Sequence, residues 1–463
     1  MEEIEKIKKE VLKKIKPTKD EKKRLLDFYN EIKKNIKKYD NENLIKKIDL
    51  VGSVSKDTFL KDNRDLDIFM FFSKEISKEK MEEYALEIGK NIFLLYNEKY
   101  VIKYAEHPYV KGKIRGFDIE LVPAYLINKG EKIRSAVDRT LFHKEYIINN
   151  LKEHDEVRIL KKFMKSVGVY GSELYINGFS GYACELFIIK YKSFENFLKN
   201  VINFKKREVI CLSRECDEKK YRKRFRNDAI ILVDPVDENR NVCSSVSIQN
   251  LAKIKLYARL FLSRPSINFF FLDEIKINKK ELNIKHKEMD KYWFVVEFKN
   301  TKEEIKDTIY PQLEKFRKYL LYLYEQLDFK VERSFSYIDD NSYGIYFEFG
   351  FSKPAKFRLV KGPEMFVKWD RIKGFIKKYK VYWIDDKGML KSNVRRKYIL
   401  PEDVVLSLKE LEEDKRHMLG VPKSISRDYY TLQVIKDIMK IKNEDFFKRY
   451  LQDSWKIKWA LKT

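Results

Sequence analysis

Residues 50–72 read LVGSVSKDTFLKDNRDLDIFMFF, and this stretch decides the fold. Ile48, Leu50 and Val51 make a short apolar strand that runs into Gly52-Ser53, a turn whose backbone N–H groups can face a phosphate with no Cβ in the way. Ser53 and Lys56 add a hydroxyl and a cation beside it. A second strand begins at Asp65. Because side chains alternate along a strand, Asp65, Asp67 and Phe69 share one face while Leu66, Ile68 and Met70 share the other. Two carboxylates therefore converge on one spot. Held side by side they repel unless a cation lies between them, so the pair suits Mg²⁺, which takes oxygen ligands and leaves room for substrate phosphates.

On the N-terminal side, residues 1–47 read as two lysine-rich helices broken at Pro17, with Thr18-x-x-Glu21 as a capping box and Leu25, Phe28, Tyr29, Ile32 and Ile36 as a buried stripe. On the C-terminal side, residues 80–99 read as a helix, followed by strands at 101–105 and 116–123. The second of these strands carries Asp118 and Glu120 on one face, just ahead of Leu121-Val122-Pro123.

Gly52-Ser53, then Asp65-x-Asp67 twelve residues on and apolar Ile68-Phe69 after it, resembles the signature of the DNA polymerase β-like nucleotidyltransferase superfamily. That resemblance implies a third carboxylate near the first two. Glu120 is the expected one, since the superfamily places an acid immediately before a hydrophobic pair and proline; most members have Asp there, which leaves Asp118 as a competitor.

Further motifs narrow the resemblance. Residues 135–143 (SAVDRTLFH), Arg158 through Tyr170-Gly171-Ser172-Glu173, Gly178-Phe179-Ser180-Gly181-Tyr182 and Asp234-Pro235-Val236-Asp237-x-x-Arg240-Asn241-Val242 follow in the order of the archaeal, class I CCA-adding enzymes, the tRNA nucleotidyltransferases. They cover roughly residues 48–250, and Lys361-Gly362-Pro363 extends the likeness less specifically. The implied fold class is α+β and multidomain. A nucleotidyltransferase head with a mixed sheet would span 1–145 and a helical neck for nucleotide recognition 146–262. An α+β body and tail that bind tRNA would span 263–463, with a tail insertion at about 325–390.

The same resemblance assigns roles. Asp65, Asp67 and Glu120 hold Mg²⁺; Gly52, Ser53, Lys56, Lys161 and Tyr170 surround the triphosphate of CTP or ATP, with Thr140 and His143 nearby. The family usually has Arg where Lys56 stands, so the charge is kept without the bidentate fork. Arg240 reads the incoming base, with Asp234 and Asp237 placed to hold its guanidinium. His107 and His143 are read as nucleotide or tRNA-end contacts, and Arg222, Arg224 and Lys361 as RNA contacts. Read without the family, residues 157–164 still form an amphipathic helix that ends near Gly168, and Lys161 and Tyr170 can reach one ligand.

Composition agrees with a polyanionic partner. Across 463 residues, 98 Lys and Arg stand against 72 Asp and Glu, a net charge of +26 spread along the chain. Nothing reads as a signal peptide, and no apolar run is long enough to span a bilayer, so a cytoplasmic protein is expected. The cysteines, Cys184, Cys211, Cys216 and Cys243, lack CxxC spacing and are expected as reduced thiols. A basic run with aromatics, residues 219–226, suits phosphate contact. Residues 267–272 and 293–298 read as strands, 303–327 as a helix, 331–338 and 343–351 as strands, and 402–412 and 428–459 as closing helices. Family members are often homodimers. The rival readings are a poly(A) or oligoadenylate polymerase on the same scaffold and a catalytically silent RNA-binding protein.

Overall fold

The computed structural model describes residues 2–62, 65–104, 106–128, 131, 136–213, 215–272 and 278–450. Ala105, Ser135 and residues 451–459 of the expected closing helices lie outside them. The described residues form two compact units, one up to residue 272 and the other over residues 278–450.

The first unit opens with α1 (Glu2–Ile15) and α2 (Lys19–Tyr39), separated at Pro17. Thr18 caps α2 as its sequence implies: Glu21 N–H donates to the Thr18 hydroxyl at 3.2 Å, and Thr18 N–H donates to the Glu21 carboxylate at 2.8 Å. The chain continues through β1 (Ile45–Leu50), a single helical turn α3 (Gly52–Ser55), β2 (Asp65–Phe72), α4 (Lys78–Leu95), β3 (Tyr100–Tyr104), β4 (Pro108–Ile114) and β5 (Phe117–Tyr125). These five strands form one sheet in the order β1-β2-β5-β4-β3, with β2 and β5 parallel and the other pairs antiparallel.

Alternation divides the work of this sheet. Leu66, Ile68, Met70 and Phe72 pack with Ile119 and Leu121 into a core closed by Phe28, Ile32, Ile88 and Ile92 of α2 and α4. Each such fully buried side chain contributes roughly 1.5–3 kcal/mol. That face anchors β2 and β5 while the opposite face carries the acids, backed by Phe69, Phe71, Val122 and Ala124.

A helical layer follows: α5 (Thr140–Asn150), α6 (His154–Val167), α7 (Gly181–Tyr191) and α8 (Phe194–Val201). Gly168, at φ 81°, ends α6 in the left-handed conformation that favours glycine. A small sheet of β6 (Glu208–Ile210), β7 (Ile230–Asp234) and β8 (Asp237–Asn241) packs with α9 (Glu218–Arg224), and α10 (Ile248–Ser263) closes the unit.

Two expectations change here. Residues 267–270 form a 3-10 turn rather than a strand, because adjacent Phe269 and Phe270 are both buried against Phe163 and Phe261, which alternation cannot provide. Cys211 and Cys216 form a disulfide instead of remaining free: the loop after β6 brings their Cα atoms to 6.0 Å, within bonding range. Cys184 and Cys243 are free and buried.

The second unit contains α11 (Lys279–Glu288), β9 (Tyr292–Lys299), α12 (Lys306–Gln326), β10 (Val331–Ile338) and β11 (Ser342–Phe349). Its antiparallel sheet has the order β10-β11-β9-β15, where β15 is Gln433–Ile435. A second sheet, ordered β12-β14-β13, comprises β12 (Phe357–Glu364), β13 (Trp383–Ile384) and β14 (Met389–Arg395), with α13 (Trp369–Lys378) between β12 and β13. The expected helix from 428 onward is instead a short turn, then β15, then a further turn, because Val434 and Ile435 complete the edge of β9. Helix resumes at residues 444–450. Among the described residues, no helix is long and apolar enough to cross a membrane.

Candidate active site

The parallel pairing of β2 and β5 sets Asp65 opposite Asp118 and Asp67 opposite Glu120. Gly52, the first residue of α3, has φ +68°, and a methyl group there would overlap the Asp67 carboxylate. The turn is thus built to let backbone reach the acid. Val51 N–H donates to the Asp67 carbonyl at 2.9 Å and fixes the turn to β2. Burial, then the Glu120 and Asp65 charges, push the Asp67 carboxyl up to about 7. A cleft of about 260 Å³ opens here, lined by Gly52, Asp67, His107, Tyr109, Glu120 and Thr140 among others.

Asp65, Asp67 and Glu120 offer oxygen donors of the kind a hard divalent cation takes, and the raised Asp67 marks negative charge in need of a counter-ion. In this structure part of that need is met by Lys111, whose Nζ donates to Glu120 at 2.6 Å. Among the described residues the acids do not close into a set of three metal ligands. Asp118 faces outward more than Glu120, with 40% against 25% of the side chain exposed, and pairs with Lys113 at 3.6 Å.

A second cluster adjoins α3. Lys56 Nζ donates to Glu185 Oε2 at 2.5 Å, Thr58 Oγ1 donates to Glu185 Oε1 at 2.5 Å, and Lys161 Nζ lies 3.4 Å from the same Oε1. Burial alone would raise the Glu185 carboxyl, but Lys56 and Lys161 outweigh it and hold it below its ordinary value. Tyr170 comes close to this group across Gly181, where an added Cβ would lie 3.0 Å from the Tyr170 hydroxyl and 3.6 Å from Lys161 Nζ. Ser53 sits on α3, where its carbonyl accepts from Thr58 N–H at 3.0 Å.

A third cluster surrounds Asp234 at the end of β7. His143 Nε2 and Arg240 Nη1 both lie 2.8 Å from Asp234 Oδ2, while the Tyr182 hydroxyl donates to Oδ1 at 3.2 Å. His143 packs against Tyr182 at 4.2 Å between ring centroids with the rings tilted by 33°, and Lys56 Nζ lies 5.6 Å from the centroid of the same Tyr182 ring. Burial pulls the His143 imidazole below its ordinary value, against the pull of Asp234. Asp234 therefore holds the Arg240 fork, as expected, but Asp237 does not: it pairs with Arg139 at 2.6 Å.

His107 is buried, with Nδ1 2.8 Å from Glu82 Oε1; its Nε2 has no partner among the described residues, and the residue lines the same cleft as Asp67. Arg222 pairs with Glu218 on the exposed side of α9, and Arg224 lies over Phe225. Lys361 belongs to β12 in the other unit. Sequence reasoning missed Thr58, Glu185 and Tyr182. The available signal was Glu185 itself, the one acid in the otherwise apolar α7.

Three family models match in chain order: "Nucleotidyltransferase domain" at residues 29–143, "tRNA nucleotidyltransferase, second domain" at 155–271 and "CCA-adding enzyme, C-terminal domain" at 290–433. A CCA-adding enzyme of Methanocaldococcus jannaschii is 38% identical over 433 residues, 91% of this chain and 94% of its own. The chain belongs to the CCA-adding enzyme family. A CCA-adding enzyme of Methanococcus maripaludis is 39% identical over 77% of this chain and 81% of its own, and one from Archaeoglobus fulgidus is 34% identical over 77% and 79%. A solved structure of the Cid1 poly(U) polymerase covers 58% of this chain and 98% of its own, at 17% identity and a TM-score of 0.46.

For a CCA-adding enzyme with this register, Glu120→Ala should be as damaging as loss of Asp67, whereas Asp118→Ala should cost less than about tenfold in single-turnover incorporation. The reverse ranking would make Asp118 the third acid. Gly52→Ala should displace the Asp67 carboxylate and slow incorporation on the order of a hundredfold, since an ångström of misplacement suffices for that. Its cost in stability should stay near the 1–2 kcal/mol, roughly, of one left-handed alanine. A thermal melt beside the rate assay separates the two effects.

Proposed function

We propose that this chain adds C, C and A in turn to the 3′ end of tRNA, using CTP and ATP, without a nucleic-acid template and with pyrophosphate leaving. The observation that carries the reading is the pairing of Asp67 with Glu120 beside Gly52 in a chain matched in order by a nucleotidyltransferase domain, a tRNA nucleotidyltransferase second domain and a CCA-adding enzyme C-terminal domain. Asp65, Asp67 and Glu120 would hold Mg²⁺. When bound, the metal lowers the pKa of the attacking hydroxyl and neutralises phosphate charge.

The chain's own groups do the rest. Ser53, Lys56, Lys161 and Tyr170 would receive the triphosphate at the Gly52 turn, with Thr140 and His143 beside the sugar and phosphates. Arg240, anchored through one nitrogen to Asp234, keeps its other donors for the incoming base. Cytosine and adenine share acceptors that such a fork can meet, whereas guanine and uracil pair with it badly. His107 would meet the tRNA end, and Arg222, Arg224 and Lys361 the phosphates farther along. Residues 1–145 would serve as head, 146–262 as neck and 263–463 as tRNA-binding body and tail. A poly(A) polymerase is disfavoured by the CCA-adding C-terminal match at 290–433.

The test supplies one labelled nucleotide at a time to tRNA transcripts that end in no C, one C or two C. CTP should extend only the first two, and ATP only the third. Extension of all three by ATP would replace this reading with the poly(A) one, and binding without extension would mean a silent RNA-binding protein.

A further inference from the structure

Helix α7 is apolar apart from its ends, yet it carries Glu185 in the interior at 1% exposure. Its carboxylate is fully engaged, with Lys56 on one oxygen and Thr58 and Lys161 on the other. Lys161, 2% exposed, also donates to the Thr58 carbonyl at 3.1 Å and hydroxyl at 3.0 Å, so its three protons all have acceptors. Lys56 differs. Among the described residues its ammonium has a single hydrogen-bond acceptor, Glu185, and otherwise faces the Tyr182 ring at 5.6 Å. Two ammoniums thus share one carboxylate in a place where an uncompensated charge is costly. The arrangement leaves a positive charge with spare donors on Lys56, next to the Gly52 turn.

We infer that Glu185 is a positioning residue of the triphosphate site: its buried carboxylate compensates the charges of Lys56 and Lys161 and holds Lys56 Nζ where the nucleotide's phosphates arrive. The inference rests on the function proposed above. Other charged or titratable groups near the two lysines cannot take over. The Tyr182 and Tyr170 phenols are pushed above the working range by burial, and the Cys184 thiol up to about 12. Burial pulls the His143 imidazole below its ordinary value, and His154 meets the Lys56 carbonyl at 3.1 Å. Asp67 acts on Lys56 from a distance and is present whether or not Glu185 is.

Burial already holds the Lys161 ammonium below its ordinary value against the pull of Glu185, so without Glu185 its pKa falls further. A lysine must be charged to hold phosphate, so activity is lost as pH rises through its pKa. In Glu185→Gln the alkaline limb of kcat/KM should therefore move down by about one pH unit or more, with KM for CTP and ATP up roughly tenfold and kcat changed less. Glu185→Asp keeps the charge on a shorter arm; its limb should stay at the wild-type position while KM rises. A role in packing alone would lower activity and melting temperature without moving the limb.

Isothermal titration with inorganic tripolyphosphate reads the same site without catalysis, and Glu185→Gln should bind it about tenfold more weakly at alkaline pH. An unmoved limb with KM and tripolyphosphate affinity within about twofold of wild type would overturn the inference, as would a moved limb in Glu185→Asp. A wild-type protein that binds tripolyphosphate in this Glu185-dependent way but adds nothing to tRNA would sink the proposed function and leave the positioning role standing.

Discussion

Asp67→Asn should abolish the addition of both C and A, by roughly a thousandfold or more in single-turnover rate, while tRNA affinity stays within about twofold of wild type. Asparagine keeps the size that packs against Gly52 and removes only the charge. The affected step is therefore chemistry, because the carboxyl lies in the cleft with Glu120 and is backed by apolar Phe69 and Val122. Added Mg²⁺ should raise the melting temperature of the wild-type protein and do so less for Asp67→Asn, since binding to the native state alone stabilises it. Survival of either the C-adding or the A-adding activity would mean two separate sites.

The second large effect concerns choice of base. Arg240→Ala should lower discrimination against UTP and GTP by roughly ten- to a hundredfold, the range expected when a charged hydrogen bond of about 1.5–3 kcal/mol is lost. The structure sharpens this, because Asp234 holds Arg240 through Nη1 at 2.8 Å and the arginine side chain is still 34% exposed. Asp234→Asn should then blur selection in the same direction but less, as Arg240 stays in place without its anchor. Incorporation of all four nucleotides onto tRNA ending in no C, one C and two C measures both variants. An equal loss of rate for every nucleotide, with selectivity intact, would make Arg240 a phosphate or scaffold residue.

What was legible in the sequence is what local rules control. Alternation placed Asp65 and Asp67 on one face and their apolar neighbours on the other, and the β2–β5 register now sets Glu120 beside Asp67. The Thr18 box and the Gly168 helix end are likewise local. Residues 267–270 misled because an apolar run has the same composition in a strand and in a buried turn, and only the packing of Phe269 and Phe270 distinguishes them. The Cys211–Cys216 bond depends on how the loop after β6 folds back, which spacing does not reveal. Glu185 pairs with Lys56 across 129 residues of sequence and Asp237 with Arg139 across 98, so no pattern within one helix or strand could announce either contact.

The central claim is that one carboxylate site adds three defined nucleotides and stops. The most direct test gives the purified chain tRNA ending at the discriminator base, all four nucleoside triphosphates together and Mg²⁺, and then sequences the 3′ ends. The account predicts that the ends are C, C and A in that order and that Asp67→Asn yields none of them. An extended run of A, a mixture of all four bases, or unextended ends from the wild-type protein would contradict it.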